Sequence, residues 1–599
     1  MSIIVQKFGG TSVADSQLIL AAARKAIRAQ RTGHEVVVVV SAMGQNTDLL
    51  IDLAKEIHDR PPAREMDMLM STGEQVSAAL MAMAVEALGY RAVSLTGAQI
   101  GIRTDSTHTK ARIRSISTER MQALLDTGNI VIAAGFQGID EERNITTLGR
   151  GGSDTTAVAL AAVLHAAECE IYTDVDGVYT TDPRILPEAR RVERISYDEM
   201  LELASLGAGV MHNRSIEFAK RYGVPIHVRS SLSDTPGTLI CSEPEVADRA
   251  VCGAAVMRNE ARIALVGVPD VPGTSLEIFS RLADRKITVD MIVQNVGEAG
   301  KSDISFTVPR DELPAALEAV REAADIVGVD EINTDENVSK VSVVGLGMAR
   351  QAGVADKMFA ALAAEGINIQ MITTSEIKIS TLVEQDAALP ALRAVHRAFE
   401  LEREPALTSA ALGEQPTVAV GAGNGPDFSG LVERLKGTDM EELMLDDISL
   451  DQSQALVTIA GVPDRPGVAA AVFRSIGNEG IFVDMIVQSH KGAQGQASLS
   501  FTVPAAQLTH TLSVARRLAD AYQCRTVMHS PSVAKLSVSG IGLRSHTSVA
   551  IRMFRALADA GINVDMISTS ELRVNVVIDG RRGERGLAQL QKAFEGVLR

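Results

Sequence analysis

Tryptophan is absent from this 599-residue chain and aromatic residues make up only 3% of it, so Ala, Val, Ile, Leu and 21 Met must fill its cores. Cysteine is scarce too. Cys169, Cys241, Cys252 and Cys524 show no CxxC spacing and no nearby histidine pair, which argues for reduced core thiols and against structural zinc. No stretch approaches the roughly 18 uninterrupted apolar residues of a membrane span; the Ala-rich run 155–167 is shorter and contains His165. Lys7 follows only a short apolar start, so no secretion signal is expected. Basic residues are outnumbered, 58 Lys and Arg against 75 Asp and Glu, and the net charge of −17 disfavours nucleic acid and anionic membranes as partners. An anionic substrate must then be held by a local cluster of cations against the overall field. These absences together predict a cytoplasmic protein.

What is present is apolar residue, at 46% with 22% charged, enough to bury several cores; at about 150 residues per domain the length predicts roughly four domains. Through residue 245, continuous apolar runs at 3–5, 36–40, 130–134 and 171–173 alternate with helical patterns at 16–31, 74–88, 117–125 and 155–167. That pattern predicts an α/β fold, a mostly parallel sheet covered by helices on both faces, with ligands beyond the carboxyl ends of the strands.

The segments after those strands carry the candidate chemistry. Lys7-Phe8-Gly9-Gly10-Thr11-Ser12 offers a cation and a glycine pair able to approach an anion, although the Walker A spacing is missing. The run Ser41-Ala42-Met43-Gly44-Gln45-Asn46-Thr47 supplies small and hydroxyl residues, and Ser71-Thr72-Gly73-Glu74 reads as a helix start with an acidic first turn. In Gly149-Arg150-Gly151-Gly152-Ser153-Asp154, three glycines around one arginine exceed what a turn needs, and Arg150 suits a carboxylate or phosphate clamp. Thr173 and Asp174 end another strand, followed by Tyr179 and Asp182-Pro183-Arg184; the spacing rules out an EF-hand, and two plain turns remain the alternative.

Beyond residue 245 the sequence repeats itself. Gly267-Val268-Pro269-Asp270 recurs 194 residues later at Gly461-Val462-Pro463-Asp464, as does Val289-Asp290-Met291-Ile292-Val293-Gln294 at Val483-Asp484-Met485-Ile486-Val487-Gln488. Gly366-Ile367-Asn368 and Thr374-Ser375-Glu376 recur at an offset of 195, as Gly561-Ile562-Asn563 and Thr569-Ser570-Glu571. A weaker half-repeat inside each block predicts four βαββαβ, ferredoxin-like units, with a Gly-, Ala-, Ser- and Pro-rich linker between the blocks.

The motifs at Lys7–Ser12, 71–74, 149–154 and 173–184 resemble those of aspartate kinase, within the amino-acid kinase superfamily, and the repeated units resemble ACT domains in two tandem pairs. The resemblance implies a catalytic domain at 1–245, ACT units at 260–335, 340–405, 453–530 and 533–599, a linker at 406–437, and a strand from 250–258 as an optional addition to the second unit. It implies ATP-dependent phosphorylation of the L-aspartate side-chain carboxylate, with Mg²⁺ arriving on the nucleotide. Lys7 and Arg150 would be catalytic, with Asp154 orienting Lys7. Gly9, Gly10 and Ser153 would hold phosphate; Thr173, Asp174, Tyr179, Asp182 and Arg184 would bind nucleotide. Ser41, Thr47, Glu74 and Arg150 would bind aspartate. A family lysine that contacts nucleotide is replaced here by Gly209. For the tail, the resemblance implies threonine and lysine as feedback effectors and a homodimer through the ACT units. Asp270, Thr274, Ser275, Asp290 and Gln294 would face Asn368, Ile369 and Ser375; Asp464, Asp484 and Gln488 would face Asn563, Val564 and Ser570. A catalytically inactive amino-acid sensor, or another amino-acid kinase, are the alternatives.

Overall fold

The computed structural model describes residues 2–207, 210–245, 249–296, 300–351, 353–404, 440–441, 443–488, 496–543 and 548–598. The expected linker and Gly209 therefore lie outside the described residues. The first part is built on an eight-stranded sheet in the order Arg194–Ser196, Thr238–Cys241, Ile226–Ser230, Glu168–Thr173, Ile3–Phe8, Glu35–Val40, Ile130–Ala134, Ala92–Leu95. Neighbours are parallel except the pair Ile226–Ser230 and Thr238–Cys241. The opening strand Ile3–Phe8 lies between Glu35–Val40 and Glu168–Thr173, so the chain winds away from it in both directions and leaves a crevice at its carboxyl end. Val36–Val40 are all fully buried, as the continuous apolar run requires.

Three sequence expectations need correction. The helix that carries Glu74 does not start at Ser71; it runs from Ala63 to Ala87, and Ser71–Glu74 sit in its middle. Gly73 explains the misreading, because a Cβ there would lie 2.8 Å from the Ala42 Cβ. The glycine marks a close helix-to-loop contact rather than a boundary. Lys7 lies within the opening strand, which extends to Phe8. Arg150 follows not a strand of the main sheet but Ile145–Thr147, in a separate four-stranded sheet with Ile113–Ile116, Ile102–Thr104 and Gln137–Ile139.

The repeated part forms one twelve-stranded sheet. Four of its strands are long: Gly253–Pro269, Glu331–Val344, Met444–Pro463 and Thr526–Ile541. Each passes through two units. Residues 253–257 pair with 340–344, whereas 262–266 of the same strand pair with 331–335. Likewise 444–451 pair with 535–541, and 456–460 pair with 526–530. Register shifts mark where each strand changes unit. In each block the first unit is thus nested inside the second.

Pairing crosses the blocks. The strand Met371–Thr374 pairs with Ile486–Gln488, joining the second unit to the third. Helices Val354–Ala364 and Val468–Asn478 share a core there, with Phe359 and Phe473 ring centroids 5.6 Å apart. The first unit meets the fourth through Phe279 and Phe554, 5.9 Å apart. At the centre, Met291, Met371, Met485 and Met566, one from each unit, are buried together with Val293, Val338, Leu382 and Leu456. Met suits this junction, since an unbranched side chain fills the irregular gap where four units meet.

Phe359→Ala, which empties the shared core of the second and third units, is expected to cost about 3–5 kcal/mol. Thermal unfolding followed by circular dichroism should show the repeated half melting earlier; an unchanged melting profile would contradict the shared core.

Candidate functional site

At the carboxyl end of the opening strand the Lys7 ammonium lies 2.6 Å from the Asp154 carboxylate, with both side chains largely buried. Asp154 comes from the first turn of the helix Gly152–Val163. The helix start therefore brings an acid to the strand-end lysine, and a negative group at a helix N-terminus is itself favourable. The preceding residue, Ser153, is buried beside Gly135, where a Cβ would lie 2.8 Å from the Ser153 Oγ.

Glycines set the approach of the surrounding loops. A Cβ at Gly10 would sit 2.7 Å from the Ala42 carbonyl oxygen, so only glycine lets the turn after the opening strand meet the loop after the second. The sequence reading assigns Gly9 a phosphate-holding role; in the structure its N–H instead donates to the Tyr172 carbonyl at 3.1 Å. Its neighbour Gly10 opens a short 3₁₀ turn, Gly10–Val13, whose first N–H groups have no intrahelical acceptor.

Glu74 projects from the long helix into the same rim, and one of its carboxylate oxygens accepts the Ala42 N–H at 3.1 Å. Burial pushes its pKa up to about 7, against the lowering effect of the hydrogen bonds it accepts. Ser41 precedes Ala42 on this loop and Thr47 stands in the first turn of the following helix, Asn46–Ile57; both are half-buried.

Arg150 stands between Gly149 and Gly151, both left-handed at φ 77° and 69°. A Cβ at Gly149 would meet the Thr109 carbonyl oxygen at 2.9 Å, and one at Gly151 would meet the His212 Cβ at 2.3 Å. The loop is therefore clamped on both sides while the Arg150 side chain stays exposed. A cavity of about 290 Å³ opens there, lined by Lys110, Arg112, Arg150, Arg214 and Arg221 with Glu217 and Glu441. This is the local cation cluster that an acidic chain needs.

On the other side of the opening strand, Thr173 donates to the Asp174 carboxylate at 3.0 Å and Asp174 is exposed. Tyr179 points elsewhere: its hydroxyl donates to Asp176 at 2.8 Å. Asp182 takes two hydrogen bonds from the Arg184 guanidinium, at 3.0 and 2.8 Å, and holds its own pKa down by that pairing. Lys7, Glu74, Ser153 and Asp154 are thus gathered around the strand ends and Thr173 and Asp174 flank them; Tyr179 is bonded to Asp176, and Asp182 and Arg184 are bonded to each other, a bond that raises the Arg184 pKa with help from Asp174 nearby.

In the repeated part the expected effector residues divide differently from the sequence reading. Asn563 donates to Asp270 at 2.7 Å, and Gln294 donates to the Val564 carbonyl at 2.6 Å while accepting from Ser275. Thr274 donates to the Pro269 carbonyl beside them. Asn368 donates to Asp464 at 2.8 Å and Gln488 to the Ile369 carbonyl at 3.0 Å. Each block therefore closes on the other and not on itself, because the nested strands place the first unit beside the fourth and the second beside the third. Asp290 and Asp484 leave these clusters altogether. Each is paired to a lysine, Lys340 and Lys535, and they line other cavities: Asp290 with Ser570 in one of about 100 Å³, Asp484 with Ser375 in one of about 350 Å³.

Sequence reasoning missed the contacts that join the two halves. Glu202, on the helix Tyr197–Ser205, is buried and pairs with Lys378 at 2.8 Å; it also accepts the Glu571 N–H at 3.0 Å. Asn213 donates to Glu571, and Glu199 accepts the Leu346 N–H. Nothing in local spacing marks residues that meet across hundreds of positions.

Comparison with known proteins agrees with this geometry. The model of the amino acid kinase family matches residues 2–230, and ACT domain models match 262–325, 341–399, 457–517 and 536–594. An aspartate kinase of Stutzerimonas stutzeri is 51% identical over 404 residues, 67% of this chain and 98% of the relative. The crystal structure of aspartate kinase from Synechocystis is 40% identical with a TM-score of 0.52, covering 99% of this chain and 98% of that one. E. coli aspartokinase III, solved with aspartate and ADP, is 26% identical with a TM-score of 0.57, covering 66% of this chain and 99% of that one. The same enzyme solved with lysine and aspartate is 27% identical, with a TM-score of 0.54 and coverage of 66% and 99%. The chain belongs to the aspartate kinase family, enzymes that phosphorylate aspartate under amino-acid regulation through ACT domains.

Proposed function

We propose that the rim around Lys7 carries the transfer of a phosphoryl group from ATP to the aspartate side-chain carboxylate, with these residues in the following roles. The attacking carboxylate is already ionised at neutral pH, so no general base is needed. One of its oxygens forms the new bond to the terminal phosphorus as the bond to ADP breaks, and ADP leaves with the displaced electron pair. The obstacle is charge, and Lys7 meets it by neutralising the transferring group. Asp154 holds the Lys7 ammonium in place at 2.6 Å and takes no proton. Gly10 and Ser153 face phosphate oxygens, and Thr173 and Asp174 face the rest of the nucleotide. The donor set fits Mg²⁺ carried by the nucleotide: the acid nearest the transfer point is committed to Lys7, and the cation neutralises phosphate charge when bound. Arg150 clamps a substrate carboxylate, Glu74 takes the α-ammonium, and Ser41 and Thr47 complete that pocket. The Lys7–Asp154 pair at the sheet's switch point is the observation that carries this reading.

For regulation, the reading is that threonine or lysine binds between units of different blocks. Lysine is supported by the E. coli enzyme solved with it. In the pair of first and fourth units, Ser275 and Thr274 offer hydroxyls beside Asp270 and Gln294; Val468 and Ala469 stand at the matching positions of the other pair. The two pairs thus differ in polarity and suit different effectors. A homodimer through the regulatory half and a cytoplasmic setting complete the proposal, the latter supported by four unpaired cysteines. Among the described residues no helix is long and apolar enough to cross a membrane.

The test is ADP release with aspartate, glutamate, acetylglutamate or UMP as acceptor, with aspartate expected to be the acceptor used. Lys7→Met, which keeps the buried stem, should lower kcat by about a thousandfold. Near-normal turnover in that variant would refute the assignment.

Glu74 gives a pH signature. With its pKa raised to about 7, it is largely protonated at pH 6 and ionised at pH 8, so the KM for aspartate should fall as pH rises through 7, by up to about tenfold per unit. Glu74→Gln should raise that KM and flatten the profile. The same shift works against stability at high pH: a folded pKa above the ordinary 4.5 favours the fold below 4.5 and loses that advantage as pH rises through 7. Glu74→Gln should therefore melt higher than the parent chain at pH 8, with the gap narrowing towards pH 5.

The crossed pairing makes a third prediction, read by calorimetry with threonine and lysine. Asp270→Ala and Asn563→Ala should impair binding of the same effector, and Asp464→Ala and Asn368→Ala should impair binding at the other pair. Coupling of Asp270 to Asn368 instead would restore pairing within blocks.

A further inference from the structure

Two residues between the repeated blocks bind the catalytic domain more tightly than a connector needs. The main-chain N–H of Met440 donates to the Arg114 carbonyl at 3.1 Å, and the Met440 carbonyl accepts from the Arg221 guanidinium at 2.7 Å and the Tyr222 hydroxyl at 2.9 Å. The Met440 side chain is buried in the catalytic core. Glu441 is nine-tenths buried and receives Arg214 in bidentate fashion, Nε at 2.7 Å and Nη2 at 2.8 Å, while also accepting the Ile113 N–H at 2.9 Å.

Arg214 does not stop there. Its Nη1 donates to the Leu148 carbonyl at 2.5 Å and its Nη2 to the Ala111 carbonyl at 2.6 Å. Leu148 is the residue before Gly149-Arg150-Gly151, and the Ala111 N–H in turn donates to the Thr147 carbonyl at 2.9 Å. The guanidinium thus grips the root of the Arg150 loop, holding Leu148 and the Ala111 backbone that is itself bonded to Thr147. Without a carboxylate opposite, a largely buried guanidinium would be costly to hold there, and its orientation would loosen. In the other direction, Glu441 stands three residues before the strand Met444–Pro463. The first residues of that strand pair with Ile541 and Gly540, at the end of a strand of the fourth unit.

We propose that Met440–Glu441 is a strap that sets the Arg150 loop: Glu441 orients Arg214, Arg214 holds Leu148, and the strap is anchored in the fourth regulatory unit. Glu441 and Arg214 are positioning residues for aspartate capture. The carboxylate that completes the substrate site thus comes from the regulatory half of the chain, far from every motif of the catalytic domain. This rests on the assignment of Arg150 as the clamp for the aspartate carboxylate.

The test is steady-state kinetics on the full chain with Glu441→Gln, Arg150→Lys and the double variant, beside thermal melting. Gln keeps an acceptor for the Ile113 N–H but loses the charge that holds Arg214. Glu441→Gln is expected to raise the KM for aspartate about tenfold and to lower the melting temperature, with the KM for ATP and kcat little changed, since a loop displaced by an ångström costs that much or more. Arg150→Lys should also raise the aspartate KM, and the double variant should be no worse than the more affected single one, because both act at one loop. Additive effects would overturn the strap, as would equal losses for aspartate and ATP. If Arg150→Lys leaves the aspartate KM unchanged, the assignment of Arg150 fails first; if Arg150→Lys raises it and Glu441→Gln does not, the strap alone fails.

Discussion

The regulatory half depends on strands longer than one small unit can use. The strand Met444–Pro463 has 20 residues and Gly253–Pro269 has 17, against the five or six that a typical strand supplies. Such a strand must be hydrogen-bonded along its whole length or leave an unpaired edge. The chain meets this by running each long strand through two units, so that the second unit of a block borrows its outer strand from residues that precede the first. Nesting then fixes which faces remain to be covered, and the remaining partner for each unit lies in the other block. The crossed contacts of Asp270 with Asn563 and of Asp464 with Asn368 follow from that constraint.

The catalytic rim shows a different economy. An acidic chain has to place cations where a nucleotide and an amino acid meet, and each cation it commits is held by a specific anion. Lys7 has Asp154 and Arg214 has Glu441. Arg150 is the exception among these: it projects, exposed, from a loop fixed at Gly149 and Gly151. A rigid loop with an unsheathed guanidinium is preorganised for an incoming carboxylate, whereas Lys7, already neutralised, is set by its partner for the moment of transfer.

Much of this was legible in the sequence, and the limits have physical causes. The buried strands were readable because continuous β-branched runs leave little other choice, and Val36–Val40 is the clearest. Lys7, Glu74, Ser153 and Asp154 could be singled out because glycines mark close backbone approach. The same glycines misled at Gly73, where a contact between helix and loop resembles a helix start. The repeat was visible as identity at a fixed offset, but an offset shows that two units are alike, not which two meet. Pairing was settled by strand length and by register shifts, which periodicity does not encode. Asp290 and Asp484 looked like ligand groups because they recur, 194 residues apart; they recur together with Lys340 and Lys535, 195 residues apart, which bind them from inside.

The link between the halves also follows from electrostatics. Glu202 and Lys378 are both buried, and Glu571 adds a second acid nearby. Burial penalises both charges, yet the attraction of Glu202, Asp290 and Glu571 keeps the Lys378 pKa raised above its ordinary value, so the ammonium stays charged. A packed apolar contact at this junction would hold the domains together at least as well. An ion pair tolerates only a narrow range of geometries: a small slip separates the charges in a medium that screens them poorly. A junction built this way fixes how Lys378 of the second unit and Glu571 of the fourth meet Glu202 on the helix Tyr197–Ser205.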